Sequence, residues 1–211
     1  MIGEQDNRLS RRSFLGNVTL VAATSAILQA RNFLGTRGWL EAAQSTSPDL
    51  VHDTFNGLLA FVVPGPDEYS LSQGVSTKEP GGIDAGGADV LITTLDKSTP
   101  FVPQFSATVA MVLNGLAEVV NPSAIGPFLS PFARLSFAEK VGVFQIMDAT
   151  ESLRVLAGVL PALVAAFSYS EAGVFDPATR SLTGQPIGWQ ISNYQGVAEG
   201  RDEFLGYFGK R

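Results

Sequence analysis

Ser47-Pro48-Asp49-Leu50-Val51-His52-Asp53-Thr54-Phe55-Asn56-Gly57-Leu58-Leu59-Ala60-Phe61-Val62 is the stretch from which the fold can be read. Ser47 is an N-cap residue type, and Pro48 stands at the first helical position, where a missing N–H costs nothing. Val51, Phe55, Leu58, Leu59 and Val62 recur at helical spacing, so one face is apolar. Pro64-Gly65-Pro66 closes the helix.

The same grammar repeats downstream. Residues 67–87 are rich in Gly, Ser, Pro and acids and predict a long irregular loop, functional or mobile as loops of that length tend to be. Asp84 or Gly86 starts a second helix through Val90, Leu91, Thr94 and Leu95 towards Ser98-Thr99-Pro100. A third begins after Pro103, with Phe105, Val109, Val112, Leu113, Leu116 and Val120 on one side, and stops at Asn121-Pro122. Between Lys97 and Arg134 the one charge is Glu118, so much of this region is expected to be buried. Ser136-Phe137-Ala138-Glu139 has the form of a capping box and opens a fourth helix through Val143, Phe144 and Met147. Asp148-Ala149-Thr150-Glu151 offers a cap for a fifth, Leu153 to Phe167. Residues 155–170 carry no charge but include Gly158 and Pro161, which favours a kinked core helix over a membrane span. From residue 173 the chain reads as a loop, with one or two helical turns between 197 and 208. No internal repeat and no alternating strand emerges. The prediction is an all-α domain of about five helices with long irregular loops.

Upstream, Ser10-Arg11-Arg12-Ser13-Phe14-Leu15-Gly16 precedes a moderately apolar run over 17–30. Paired arginines followed by Phe14 and Leu15 resemble the twin-arginine signal that sends folded proteins across a bacterial membrane. An uncleaved anchor and an ordinary amphipathic helix are the alternatives. The chain divides accordingly into a signal and linker, 1–43, and one helical domain, 44–211, placed in the periplasm or cell envelope. Charged residues make up 16% of the chain against about 25% in soluble domains, which points to a covered surface or a nearby membrane. From Gln44 onward nine Lys and Arg face seventeen Asp and Glu, a balance that disfavours nucleic acid. The chain has no cysteine, which removes disulfides, thiolate metal sites and iron–sulfur clusters.

Catalytic constellations are hard to find. His52 is the single histidine and reads as a surface or partly buried imidazole; no Gly-x-Ser-x-Gly elbow occurs. Asp84 and Asp89, with Asp67-Glu68 upstream, are the carboxylates a glycosidase-like pair would draw on, though caps and solvated loop residues explain them as well. The clusters Gly81-Gly82 and Gly86-Gly87 match no nucleotide-binding pattern. No catalytic, cofactor or metal residue is assigned. The aromatics Phe175, Trp189, Tyr194, Phe204, Tyr207 and Phe208 either close over the core or anchor a partner, with Phe175, Asp176, Trp189 and Tyr194 as the candidate interface.

The order of features is a further sign. A twin-arginine stretch is followed by a first helix ending in Phe61-Val62-Val63-Pro64, then by Gly86-Gly87-Ala88-Asp89 entering a helix and by Leu135-Ser136. The chain continues with Gly173-Val174-Phe175-Asp176-Pro177, then Gly188-Trp189 and Tyr194-Gln195-Gly196. This order resembles the gluconate 2-dehydrogenase subunit 3 family, small subunits of membrane-associated sugar and gluconate dehydrogenases. Ser181-Leu182-Thr183-Gly184 replaces the Gly-Gly-Asn element of the family pattern. The resemblance implies a non-catalytic accessory subunit. It would carry the export signal for a large flavin-dependent oxidoreductase of the glucose–methanol–choline type, with FAD in that partner, and engage the twin-arginine translocase. Two other classes stay open: a stand-alone exported carboxylate-dependent enzyme and an envelope binding protein.

Overall fold

The structure is a computed structural model that describes residues 46–98, 104–171, 173–176 and 178–194. Arg11, Arg12, Phe14 and Leu15, the 1–43 segment and the turns expected between 197 and 208 lie outside the described residues.

Helix α1 (Pro48–Val62) begins as its sequence dictates: the Ser47 side chain accepts from Leu50 N at 3.2 Å, and Pro48 opens the first turn. The helix ends at Val63, whose N–H still reaches Leu59 O before Pro64 breaks the ladder. A single turn, α2 (Glu68–Ser72), follows, then α3 (Gly87–Ser98), α4 (Phe105–Val120), α5 (Phe137–Ala149) and α6 (Arg154–Ser168). A two-residue hairpin of β1 (Phe175–Asp176) and β2 (Ser181–Leu182) leads to a last turn, α7 (Ile187–Ile191). The described residues are thus all-α with one minimal antiparallel ladder.

Helices α3, α4, α5 and α6 each pack on the next, and α6 returns to α3, closing a ring. Helix α1 packs on α3, α4 and α6, so its apolar face meets the ring rather than water. Phe55, Leu58 and Leu59 are fully buried in the common core with Leu91, Leu113, Met147 and Leu160. Burial of each such side chain stabilises by about 1.5–3 kcal/mol.

The cap predicted at Ser136 forms in full: Ser136 Oγ accepts from Glu139 N, and Glu139 Oε2 accepts from Ser136 N at 2.8 Å. The Ser136 backbone bond, seconded by its hydroxyl, holds the Glu139 carboxyl below its ordinary pKa. Helix α6 runs through Pro161 with Leu156, Leu160, Val164 and Ser168 buried, so the uncharged stretch is a core helix. Among the described residues no helix is long and apolar enough to cross a membrane.

Four expectations need correction. Residues 67–87 are not wholly irregular, because Asp67 caps α2: its carboxylate accepts from Ser70 N at 2.8 Å and Ser70 Oγ at 2.7 Å. The glycines there permit two backbones to cross, since a Cβ on Gly81 would lie 2.6 Å from Gly65 N and one on Gly65 2.7 Å from Gly81 N. Thr150 does not cap α6; its hydroxyl turns back onto Ile146 O at the end of α5, and α6 starts at Leu153 without a side-chain cap. The charge-poor segment divides in two. Helix α4 buries nine residues, whereas Ile125 is 93% and Leu129 59% exposed in the loop after it. Finally, residues 173–186 contain the β1–β2 ladder, with Phe175 opposite Leu182 and Asp176 opposite Ser181.

Candidate functional site

Two places concentrate chemistry. The first is a buried polar centre between α1, α2 and α5. Lys140 lies on α5 and has no solvent exposure; its amine donates to Gly57 O on α1 at 3.2 Å and to Gln73 Oε1 beyond α2 at 2.9 Å, and sits 5.4 Å from the centroid of the Phe132 ring. A Cβ on Gly57 would come within 2.9 Å of Ala133 Cα, so the glycine lets α1 press against the 131–134 turn. Gln73 is itself held, donating to Ala60 O at 2.7 Å, while its backbone carbonyl accepts from Phe137 N. Desolvation pushes the Lys140 pKa down to about 7, against a smaller opposing pull from Asp67. The two acceptors match the two N–H groups of a neutral amine.

Beside it, the Asp53 carboxylate is buried and accepts from Tyr69 OH and, at 2.6 Å, from Ser130 N. Burial, with the bond to Asp53 second, raises the Tyr69 phenol to about 12. Ser130 Oγ continues to Asn114 Oδ1 at 2.6 Å, and Asn114 Nδ2 to Thr54 Oγ1 at 3.0 Å. This network ties the 128–133 segment to α1 and α4. It is structural in character, since its polar atoms satisfy one another.

The second place is open. Past the end of α6, Tyr169, Ser170 and Glu171 face Trp189, Ser192, Asn193 and Tyr194 from α7 and its exit, around a groove of about 560 Å³. Gly188 makes this possible: a Cβ there would stand 2.6 Å from Tyr169 C and 2.8 Å from Ser168 O, so only glycine lets α7 lie against the α6 terminus. Ile191 packs on the core while Trp189 and Tyr194 meet edge to face, centroids 5.3 Å apart at 80°. Tyr169 is 49% and Tyr194 46% exposed.

Of the four predicted interface residues, the structure brings Trp189 and Tyr194 together and leaves Phe175 and Asp176 in the hairpin. Asp176 closes its own turn, accepting from Thr179 Oγ1 and Ala178 N, both at 2.8 Å; the Thr179 bond foremost, then the Ala178 bond, lowers its pKa. The carboxylates considered for catalysis do separate jobs. Asp84 accepts from Gly81 N at 2.7 Å, and the exposed Asp89 lies 3.5 Å from His52 Nε2, whose ring also contacts Asn56. Among the described residues no three metal-ligating side chains gather. Tyr169 and Glu171 escaped the sequence reading; the signal available was an aromatic and an acid at the end of the uncharged stretch. Comparison with protein families, with curated proteins and with solved structures returns no match for this chain.

Proposed function

We propose that this chain is a non-catalytic exported accessory subunit that escorts a folded flavin-dependent oxidoreductase, of the glucose–methanol–choline type, through the twin-arginine route. The observation that carries the reading is the late Gly188-Trp189 and Tyr194 element, which follows the family-like order and lines an exposed aromatic groove on an otherwise well-packed helical domain. Trp and Tyr are enriched at protein interfaces because a rigid ring buries much area at little entropic cost. Arg11 and Arg12 fit the same reading. A flavin inserted before export requires a route that accepts folded cargo, and a catalytic chain without its own signal can travel on a subunit that has one. FAD belongs to the partner in this scheme.

The test is an Arg11→Lys, Arg12→Lys double variant in the native host, with both chains followed by fractionation. Retention of both the variant and the flavoprotein in the cytoplasm is expected, with loss of the envelope dehydrogenase activity. Undiminished export of the flavoprotein would refute the escort role.

A further inference from the structure

The groove has a composition that selects a ligand. Among the described residues its walls carry three aromatic rings, Tyr169, Trp189 and Tyr194, and one charged residue, Glu171. Among the described residues Glu171 makes no ion pair. The Trp189 and Tyr194 rings stand nearly at right angles, edge to face, beside Tyr169 in the groove lining. Ring faces attract cations through their quadrupole, and a carboxylate beside them adds a full negative charge. The surplus of acids from Gln44 onward favours the same sign of ligand at long range.

We infer that this groove is a binding site for a guanidinium group, supplied by an arginine side chain on the surface of the partner protein. A planar guanidinium stacks on an indole and carries five N–H donors, which need acceptors around them. Glu171, Asn193 and Ser192 line the groove and bear side-chain oxygen acceptors, and the Ser192 hydroxyl commits its own proton to Gly188 O at 2.6 Å. A quaternary ammonium has no N–H for these acceptors, and a neutral apolar side chain would leave the carboxylate unpaired. Only the assignment of the arginine to a partner rests on the accessory-subunit reading; affinity for the guanidinium belongs to this chain's own residues.

The full chain in a Trp39→Phe background leaves Trp189 as the one indole, so its emission reports the groove. Titration with acetyl-arginine amide should give a saturable change. Acetyl-citrulline amide, the uncharged isostere, should bind at least ~10-fold more weakly, and Glu171→Gln or Tyr194→Leu should weaken arginine binding by a similar factor. Both positions are solvent-exposed, so unchanged far-ultraviolet dichroism is expected of the variants. Equal affinity for the citrulline amide overturns the cation site, and tighter binding of tetramethylammonium than of arginine amide makes it an ammonium site instead. Binding that appears only after Arg201→Gln assigns the groove to the chain's own C-terminal segment and overturns the partner assignment. A partner that co-purifies equally with Glu171→Gln removes the arginine from the interface while leaving the accessory role. Arginine binding by a chain that retains no flavoprotein does the reverse.

Discussion

Replacement of Asp53 by alanine is expected to destabilise the domain by about 3 kcal/mol, because it strips the acceptor from two donors at once. Ser130, with no solvent exposure, loses the partner of its backbone N–H, and the Tyr69 hydroxyl loses its carboxylate. The loss should propagate, because Ser130 Oγ also accepts from Ala133 N and donates to Asn114, which in turn receives Phe132 N. Asp53→Asn keeps an acceptor but adds an N–H₂ facing one of the donors, so about half the loss is expected there. Urea unfolding of the three chains under one condition measures the difference. A loss below about 1 kcal/mol for Asp53→Ala would mean that water replaces the carboxylate and that the network is not a closed structural unit.

The second large effect is a dependence on pH that originates in the core. The Lys140 amine has a folded pKa of about 7 against 10.5 in the unfolded chain, so between those values the unfolded chain holds a proton that the folded one has released. Stability therefore rises with pH across that window. Below about pH 7 both states are charged and the full cost of burying the ammonium is present; as pH approaches 10.5 the cost disappears. The rise should amount to roughly 3–5 kcal/mol. Tyr69 acts in the opposite sense higher up: with its phenol raised from 10 to about 12, stability falls as pH climbs through that range. The expected profile climbs from neutrality to a maximum near pH 10 and then declines. Lys140→Met should flatten the climb and, at pH 6, be at least as stable as the natural chain, since an apolar side chain in place of a buried charge is often neutral or better. An unchanged slope in Lys140→Met would show that the amine remains charged or hydrated in the folded state.

The five long helices were legible in the sequence because their signals are local. Ser47 with Pro48, the Ser136 to Glu139 box, and the breaks at Pro64 and Asn121-Pro122 act within a turn or two of where they stand. Helix α2 was not legible, since five residues hold too little periodicity to outweigh an acidic, polar composition. Lys140 was missed for a different reason. It stands three, four and seven residues before Val143, Phe144 and Met147, in register with the apolar stripe, but a lysine is read by habit as solvated. Its burial depends on Gly57 and Gln73, which are far away in sequence. The groove was half legible: Trp189 and Tyr194 announced themselves as large aromatics in a loop. Tyr169 and Glu171 join them only because Gly188 lets α7 cross the end of α6, a contact that no local pattern encodes.

The central proposal is that the chain exists to accompany a flavoprotein, and its most direct test is isolation from the envelope fraction of the native host under conditions that preserve complexes. Denaturing the purified material and quantifying released flavin against the chain should give equal amounts, together with one larger polypeptide that has no export signal of its own. A chain that elutes from the same fraction alone and without flavin would contradict it.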